Sequence, residues 1–545
     1  MEIEGNIIDV FEEKIFTARI EVEGNRIRKI TKINKELKEL ITPGFVDAHI
    51  HIESSLLCPS RFAEVVVPHG TIATVSDPHE IANVLGIEGI KYMIEDAKQV
   101  PLKIFYTAPS CVPATAYETN GAELDAIALE EVFRLERIIA LGEVMDFEAV
   151  INRDKYIMDK IELAKKLGKR IDGHAPLLRG EKLAKYVSAG IETDHESVYY
   201  EEALEKAKLG MKIMIREGST AKNMNELIRL VKEGYECFFV GDDVIVTDLI
   251  KGHLDLLLKK AVELGLDEIK ALKCVTKNPV LHYDLPVGLL REGDIADFLV
   301  LNDLKNFKVE KVFIDGELVA KDGECLFKTK PKITGNTVKA EVLKEDKIKV
   351  NVKGKEALVN VIGVVEDQII TKHLVEKIDI KNGEIKPDAS KDFLKIVVVE
   401  RYGYGNICVG FIKGFGLKNC AIASSIAHDS HNIIAIGDRD DLICKAVNML
   451  ILKGGGLSYA SDEENNILEL PIGGLMSAEE PEIVSTKLEK LHEKLYKKGS
   501  KLRNPYITLS FMSLLVIPEL KIGDKGLFDV NNKRFIPIVK EVIDN

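Results

Sequence analysis

Between residues 44 and 242 the sequence repeats one pattern eight times: a short apolar or β-branched run, then a stretch with helical spacing. The strand candidates, in chain order, are FVDAHIHI, TIATVSD, KIFYTA, RIIALGEV, RIDGHA, IETDHE, KIMIRE and CFFVGDD. Strands that alternate with helices form parallel sheets, and eight such units over roughly 200 to 250 residues are what a closed (β/α)8 barrel requires. The pattern therefore predicts a barrel.

The rest of the chain, which has 545 residues, needs further domains. Short strands and turns fill residues 1–42 and return at 286–330, and beyond Pro331 strands mix with helices. The predicted fold class is α/β. We expect a TIM-like barrel over residues 43–285, a small β domain built from both flanks (1–42 plus 286–330), and a C-terminal α/β domain over 335–545.

Composition narrows the function classes. Lys plus Arg number 75 against 88 Asp plus Glu, which gives a formal charge of −13. The sequence contains no block of basic residues of the kind that indicates nucleic-acid binding. No apolar run reaches membrane-spanning length, the acidic N-terminus does not resemble a signal peptide, and the eight Cys form no C-x-x-C pair. We therefore expect a cytoplasmic enzyme with reduced thiols that acts on a small molecule, and, as is common for large α/β enzymes, a homo-oligomer.

The segment HIHI at 49–52 sets two imidazoles on one face of the first strand, because strand side chains alternate with period two. Alone, that face could point to water or into the barrel, where neutral His binds divalent metals. Polar groups also follow the later apolar runs, at the strand ends where a barrel assembles its active site. Their joint placement favours the metal site.

Six residues are predicted to converge there, four imidazoles and two carboxylates, enough for two divalent ions. The predicted ligands are His49, His51, Glu143, His174, His195 and Asp242. A carboxylate on the fourth strand can bridge a metal pair that lies within about 4 Å. His and carboxylate ligands accept Mn, Fe or Zn, and metal availability often decides among them.

This pattern resembles the amidohydrolase superfamily, whose members pair a strand-one HxH with His on strands five and six and Asp on strand eight. More specifically, the chain resembles the adenine deaminase family over nearly its whole length, in PGFVDAHIHIESS, SDPHEIANVLG, PSCVPAT, LGEVMDF, DGHAP, TDHES and GFIKGFGLKNCAIASSIAHDSHN. Glu143 stands where many amidohydrolases have a carboxylated Lys, and Glu suits this family. The other zinc deaminase fold is excluded, because the sequence has no P-C-x-x-C.

The resemblance implies hydrolysis of adenine to hypoxanthine and ammonia by metal-activated hydroxide, at a binuclear centre with Mn or Fe favoured and Zn acceptable. Asp242 is the candidate to take the proton of the attacking hydroxide and pass it to the departing ammonia. Glu80 or Asp77 is expected to bind the base and protonate a ring nitrogen, with Glu80 favoured because a carboxyl beside an apolar base tends to have a raised pKa. The alternatives are another cyclic amidine or amide as substrate, or a scaffold without catalysis.

Three interpretations stay open on the sequence alone. SDPHE also fits a helix start, because Asp before Pro is a frequent N-terminal signal. Arg216 and Glu217 fit an ion pair at the barrel rim better than substrate contacts. His428, Asp429 and His431 fit either another metal site or a hydrogen-bonded turn near the pocket.

Overall fold

The computed structural model describes residues 1–366 and 368–543. The chain forms two compact units. The first comprises residues Met1–His79, Ile90–Cys111 and Leu124–Pro331, and the second comprises Glu80–Gly89, Val112–Glu123 and Lys332–Asn545. No helix among the described residues has both the length and the apolar character that a membrane crossing requires.

An eight-stranded sheet in the first unit is built from both ends of that unit's sequence. Its strands are β1 (Glu2–Asp9), β2 (Lys14–Glu23), β3 (Arg26–Lys32), β4 (Leu40–Pro43), β13 (Phe298–Leu301), β14 (Val309–Ile314), β15 (Glu317–Lys321) and β16 (Glu324–Cys325). The order is β16-β15-β14-β13-β4-β1-β2-β3. Phe298 and Phe313 lie opposite each other with ring centroids 4.6 Å apart, and burying each ring stabilises the sheet by about 2 kcal/mol.

Eight parallel strands form the barrel of the first unit. They are β5 (Phe45–Ile50), β6 (Thr71–Ser76), β7 (Lys103–Ala108), β8 (Ile138–Val144), β9 (Arg170–Gly173), β10 (Thr193–Asp194), β11 (Lys212–Arg216) and β12 (Cys237–Val240). Ladders join β5 through β9 and β10 through β12. The Glu192 amide donates to the Ile171 carbonyl at 2.9 Å, and the Asp242 amide donates to the His49 carbonyl at 3.0 Å. These two bonds link the ladders into a ring.

Helices follow the barrel strands, as right-handed crossovers between parallel strands require. They are α1 (Pro59–Val66), α2 (His79–Leu85), α3 (Ile87–Ala97), α4 (Ala126–Val132), α5 (Phe147–Ile151), α6 (Lys155–Lys166), α7 (Gly180–Ser188), α8 (Tyr200–Lys208), α9 (Met224–Lys232), α10 (Val246–Leu249), α11 (Leu254–Glu263), α12 (Glu268–Cys274) and α13 (Lys277–Tyr283). Two short 3₁₀ helices span Ile52–Ser55 and Val67–His69.

The α6 helix shows why such stretches fold as they do. Asp154 caps its first turn by accepting from the Tyr156 amide, and Ile157 and Ile161 are buried one turn apart. Leu167, the apolar residue that follows this helix, is 44% exposed, because the helix ends one residue before it.

The second unit is built on a nine-stranded mixed sheet. Its strands are β18 (Glu356–Val364), β19 (Thr371–Asp379), β21 (Leu394–Val399), β22 (Ile407–Lys413), β23 (Cys420–Ser424), β24 (Ile433–Gly437), β25 (Gly456–Ser461), β26 (Asn465–Glu469) and β30 (Val539–Ile543). The order is β19-β18-β22-β21-β24-β23-β25-β26, with β30 on β18. The pair β18–β22 is parallel, and the other pairs are antiparallel.

Smaller elements complete the second unit. They are β17 (Val350–Asn351), β20 (Glu384–Ile385), β27 (Leu520–Gly523), β28 (Gly526–Asp529), β29 (Arg534–Ile536), α14 (Asp440–Lys453), α15 (Pro481–Lys497), α16 (Pro505–Ser510), and 3₁₀ helices at Glu345–Lys347, Ala389–Lys391 and Phe511–Ser513. The core lies between the sheet and α14, whose Leu442, Val447 and Leu450 are buried among strand residues.

The predicted fold class is confirmed: a TIM-like barrel, a flanking β sheet and a C-terminal α/β region are all present. The exact domain limits stay predictions. Two segments inside the predicted barrel range, Glu80–Gly89 and Val112–Glu123, belong to the second compact unit. Both are loop or helix segments that follow barrel strands β6 and β7.

Candidate metal centre

The six predicted ligands all lie in the first unit, at the carboxyl ends of its barrel strands. His49 and Glu143 are the penultimate residues of strands β5 and β8, and the others follow strands: His51 after β5, His174 after β9, His195 after β10 and Asp242 after β12. Parallel strands that close a ring point their carboxyl ends the same way, so these side chains meet. Five of the six are at most 4% exposed, and the exception, His174, is partly buried.

Glu143 lies at the middle of this cluster. Its Oε1 is 3.4 Å from Nε2 of His51. Its Oε2 is 2.7 Å from Nδ1 of His174 and 3.1 Å from Nε2 of His195. The two oxygens thus face different groups of imidazoles, which is the arrangement that a bridging carboxylate needs.

Asp242 closes the cluster on the side of strand β5. Its Oδ1 lies 3.4 Å from Nε2 of His49 and 3.3 Å from Nε2 of His51. Asp242, which follows Gly241, has φ 59°. This is a left-handed conformation that Asp tolerates better than most residues do. The turn after β12 therefore aims this carboxylate at the two strand-one imidazoles.

The donor set fits divalent metal ions. Several triads of ligand atoms lie within 4.8 Å of one another, including His49–His51–Glu143, His49–His195–Asp242 and Glu143–His174–His195. Two ligands bound at about 2.1 Å in tetrahedral geometry are roughly 3.4 Å apart, close to most of the spacings above. Nε2 of His49 is buried without a hydrogen-bond partner. A metal ligand is the role that such a nitrogen can serve here.

Both carboxylates are anionic at neutral pH and so available as ligands. Burial alone would raise the pKa of Glu143, but the neighbouring His195 and His174 outweigh it and hold that pKa well below its ordinary value. Burial likewise opposes ionisation of Asp242, yet the adjacent imidazoles of His49 and His51 and the Arg216 guanidinium keep its pKa well below the usual range.

Hydrogen bonds behind the ligands fix their orientation. Nδ1 of His51 lies 3.0 Å from the Asp77 carbonyl, and since a carbonyl only accepts, this nitrogen carries the proton and Nε2 is left to bind a metal. Oδ2 of Asp77 accepts from the Glu143 amide at 3.0 Å. One residue after β6 thus orients ligands on β5 and β8.

Asp47 performs the same task between β5 and the turn after β12. Its carboxylate accepts from the His49 amide at 3.2 Å and from the Gly241 amide at 3.0 Å. The other contact of this carboxylate is Nε2 of His253 at 3.0 Å, and Nδ1 of His253 meets the Thr71 hydroxyl at 2.7 Å. This network, which we call the Asp47–His253 network, ties together the two strands that carry the HxH pair and Asp242.

Arg216 does not pair with Glu217, contrary to the rim ion pair that the sequence favoured. Its guanidinium donates to Oδ2 of Asp242 at 2.9 Å and to Oε2 of Glu196 at 2.9 Å. Glu217 instead contacts Nζ of Lys260 at 2.7 Å. The reason is geometric: adjacent strand residues point to opposite faces, so Arg216 reaches the barrel mouth while Glu217 does not.

Sequence reasoning missed His79 and Glu196. Nδ1 of His79 lies 3.4 Å from Oε1 of Glu143, and Oε1 of Glu196 lies 3.7 Å from Nε2 of His195. The signal was present, because both residues belong to quoted motifs: in SDPHE only Asp77 and Glu80 were singled out, and in TDHES only His195.

Glu80 lies in the second unit, in the first turn of α2. Within that unit its Oε1 is 2.9 Å from Nδ1 of His428, and its Oε2 contacts Nε2 of His431. Asp429 stands 3.8 Å from the His428 ring nitrogen. The segment AHDSHN therefore supplies two imidazoles to the Glu80 carboxyl group.

Comparison with known proteins agrees with this architecture. Residues 40–319 match the amidohydrolase family model, and residues 368–534 match the model of the adenine deaminase C-terminal domain. The first match spans the barrel together with parts of the flanking sheet.

Similar proteins extend over the full length of the chain. It is 47% identical to an adenine deaminase of Methanothermobacter thermautotrophicus, over 97% of this chain and 98% of the relative. It is 46% identical to one of Methanosphaera stadtmanae, over 99% and 100%. It is 45% identical to one of Borreliella burgdorferi, over 98% and 99%. The chain therefore belongs to the adenine deaminase family of the amidohydrolases.

Proposed function

We propose that this chain hydrolyses adenine to hypoxanthine and ammonia at the six-residue cluster of the barrel. The observation that carries the proposal is the convergence of four imidazoles and two anionic carboxylates at one barrel mouth. Membership of the adenine deaminase family supports adenine as the substrate. A scaffold would have no chemical need for six converging ligands.

The proposed cofactor is a pair of divalent ions, with Mn or Fe favoured and Zn acceptable. His49, His51 and Asp242 would hold one ion and His174 and His195 the other, with Glu143 shared. When bound, such a pair lowers the pKa of a coordinated water, so that a nucleophile forms near neutral pH. This assignment of ligands to two ions is supported by Glu143, whose two oxygens face different imidazole groups.

Asp242 is proposed to move the proton in the hydrolysis. Water adds its oxygen to C6, the C6–N bond breaks, and the leaving nitrogen must gain a proton to depart as ammonia. Oδ1 of Asp242 faces the two strand-one imidazoles, and Arg216 holds Oδ2 at 2.9 Å. The contacts on the two oxygens together fix the carboxylate plane, so one oxygen can accept a proton from the water and release it to the amine.

Glu80 is proposed to bind the base and protonate a ring nitrogen, which takes up the charge that develops on attack. Asp77 was the other candidate, but its Oδ2 already accepts the Glu143 amide. We therefore assign the ring proton to Glu80 and an orienting role to Asp77.

Two broader features belong to the same proposal. We propose that the enzyme is cytoplasmic, on the sequence features above, and that it is a homo-oligomer, since most large enzymes of this kind are symmetric assemblies. The substrate alternative, another cyclic amidine or amide at the same centre, differs in the pocket residues rather than in the ligands.

Two variants test the residue roles. Asp242→Asn should lose at least about 100-fold in kcat, because general acid–base groups contribute on that scale. Asp248→Asn, a matched change in the helix after the same strand, should retain activity. An Asp242→Asn enzyme that keeps its metal and turns over near the normal rate would remove the proton role of Asp242.

For the second role, Glu80→Gln should lose kcat far more than adenine affinity, because the amide keeps the shape but cannot donate the carboxyl proton. The measurement is kcat and KM for adenine at fixed metal content. A large rise in KM with kcat preserved would assign Glu80 to binding alone.

A further inference from the structure

The second unit holds a carboxyl group between two imidazoles. Glu80, His428 and His431 are all buried, with at most 8% exposure. Each imidazole faces its own oxygen: Nδ1 of His428 lies 2.9 Å from Oε1, and Nε2 of His431 contacts Oε2. Two contacts on different oxygens fix both the position and the plane of a carboxyl group, which a single contact cannot do.

The loop that carries the two imidazoles is itself held in place. It connects strands β23 and β24, neighbours in the sheet of this unit. The His428 amide donates to the Ser510 carbonyl at 3.2 Å, and the His431 amide donates to the Ala427 carbonyl at 2.7 Å. The His428 ring also stacks on Phe511 with centroids 4.8 Å apart. The imidazoles therefore form a rigid cradle rather than a mobile turn.

Side-chain hydrogen bonds brace the same loop from the following residue. Oδ1 of Asn432 accepts from the Arg401 amide at 3.2 Å, and its Nδ2 donates to the Thr119 carbonyl at 3.0 Å. Burial lowers the pKa of His431 to about 4, so its ring is neutral near pH 7 and keeps one N–H donor.

We infer that His428 and His431 are positioning residues for catalysis: together they hold the Glu80 carboxyl group in the orientation from which it serves the base. This inference rests on the proposed role of Glu80 as donor of the ring proton. It gives the AHDSHN segment of the C-terminal domain a function beyond a structural turn. A metal ion bound by the same three side chains is the competing interpretation, since their ligand atoms lie within 4.8 Å of one another.

The test compares conservative and disruptive variants of the full-length, metal-loaded enzyme. His431→Gln places an amide nitrogen near the position of Nε2, and His428→Asn places one near Nδ1, so both keep a donor. His431→Ala and His428→Ala remove it. His492→Ala is the matched control, because His492 is another buried imidazole of the second unit that belongs to α15 and not to this loop.

We expect the two alanine variants to lose about 10- to 100-fold in kcat, with KM for adenine changed less than about threefold. This pattern indicates the loss of an interaction that stabilises only the transition state. The conservative variants should recover most of that loss, and His492→Ala should retain the kcat of the parent. Combining His431→Ala with Glu80→Gln should cost no more than Glu80→Gln alone, because a residue that acts through Glu80 has nothing left to position.

Three results would overturn the inference. The first is an unchanged kcat in both alanine variants while Glu80→Gln is inactive; this would leave the proposed function intact. The second is a fully additive loss in the double variant. The third is metal analysis that finds three ions per chain in the parent and two in His431→Ala, which would assign a metal site. A Glu80→Gln enzyme of normal kcat would instead remove the proposed role of Glu80 itself.

Discussion

At the scale of single residues, the centre depends on groups whose protonation is fixed by their surroundings. Glu143 and Asp242 remain anionic in a buried site because imidazoles lie against their oxygens. Burial has the opposite outcome for the His282 imidazole, which lies near the cations Arg170 and Lys212. Burial lowers the pKa of His282 to about 3, and its Nε2 is buried without a hydrogen-bond partner.

His282 predicts acid sensitivity of folding. Its folded pKa lies below the unfolded value of about 6.5, so the unfolded chain binds a proton first and stability falls as pH drops from 6.5 toward 3. At pH 5 the loss is on the order of 2 kcal/mol. His282→Gln should show a smaller decrease in the free energy of unfolding between pH 7 and pH 5, measured by urea denaturation.

The control for this prediction is His69→Gln, which changes an imidazole that pairs with Asp255 at 3.0 Å. That variant should keep the acid sensitivity of the parent. An identical pH dependence in the parent and His282→Gln would contradict the account of His282.

At the scale of elements, the barrel strands place the ligands and the hydrogen bonds between strands hold them. Asp47 joins the end of β5 to the turn after β12 through the His49 and Gly241 amides. Removing its charge should weaken these bonds and the contact with His253 while leaving every metal ligand in place. Outer contacts of this kind typically contribute 10- to 100-fold to metal affinity.

Asp47→Asn should therefore bind its metals about 10- to 100-fold more weakly, measured by competition with a chelator. His253→Gln should show a smaller loss of the same kind. Asp96→Asn, a buried carboxylate that accepts from the Ser60 amide, is the control and should match the parent. Equal metal affinity in parent and Asp47→Asn would contradict an orienting role for the Asp47–His253 network.

The sequence was enough to place the strands, because alternation and apolar runs are local signals. All eight barrel strands occur where apolar runs predict them, although β10 contains only Thr193–Asp194 and β12 ends at Val240. The residues just beyond these short strands are the ligands. The partners of Asp47 could not be predicted, since His253 is far from Asp47 in the sequence and no local pattern links the two residues.

At the scale of the whole molecule, the amidohydrolase match covers the barrel of the first unit, while the match to the adenine deaminase C-terminal domain, which includes the AHDSHN segment, lies in the second. The sequence could not predict that the segments Glu80–Gly89 and Val112–Glu123 belong to the second unit. In that unit Thr119 contacts the Asp524 carboxylate through its amide at 2.9 Å and its hydroxyl at 2.6 Å. These contacts join residues 405 positions apart, beyond any sequence period.

The central claim is that the barrel cluster deaminates adenine. The most direct test loads the purified full-length chain with Mn or Fe and measures ammonia released from adenine, guanine and cytosine, and ring-opened carbamoyl aspartate formed from dihydroorotate. We predict ammonia and an equal amount of hypoxanthine from adenine, at a kcat/KM at least about 100-fold above that for the other three compounds. Hydrolysis of one of those compounds but not of adenine, or of none of the four, would contradict the account.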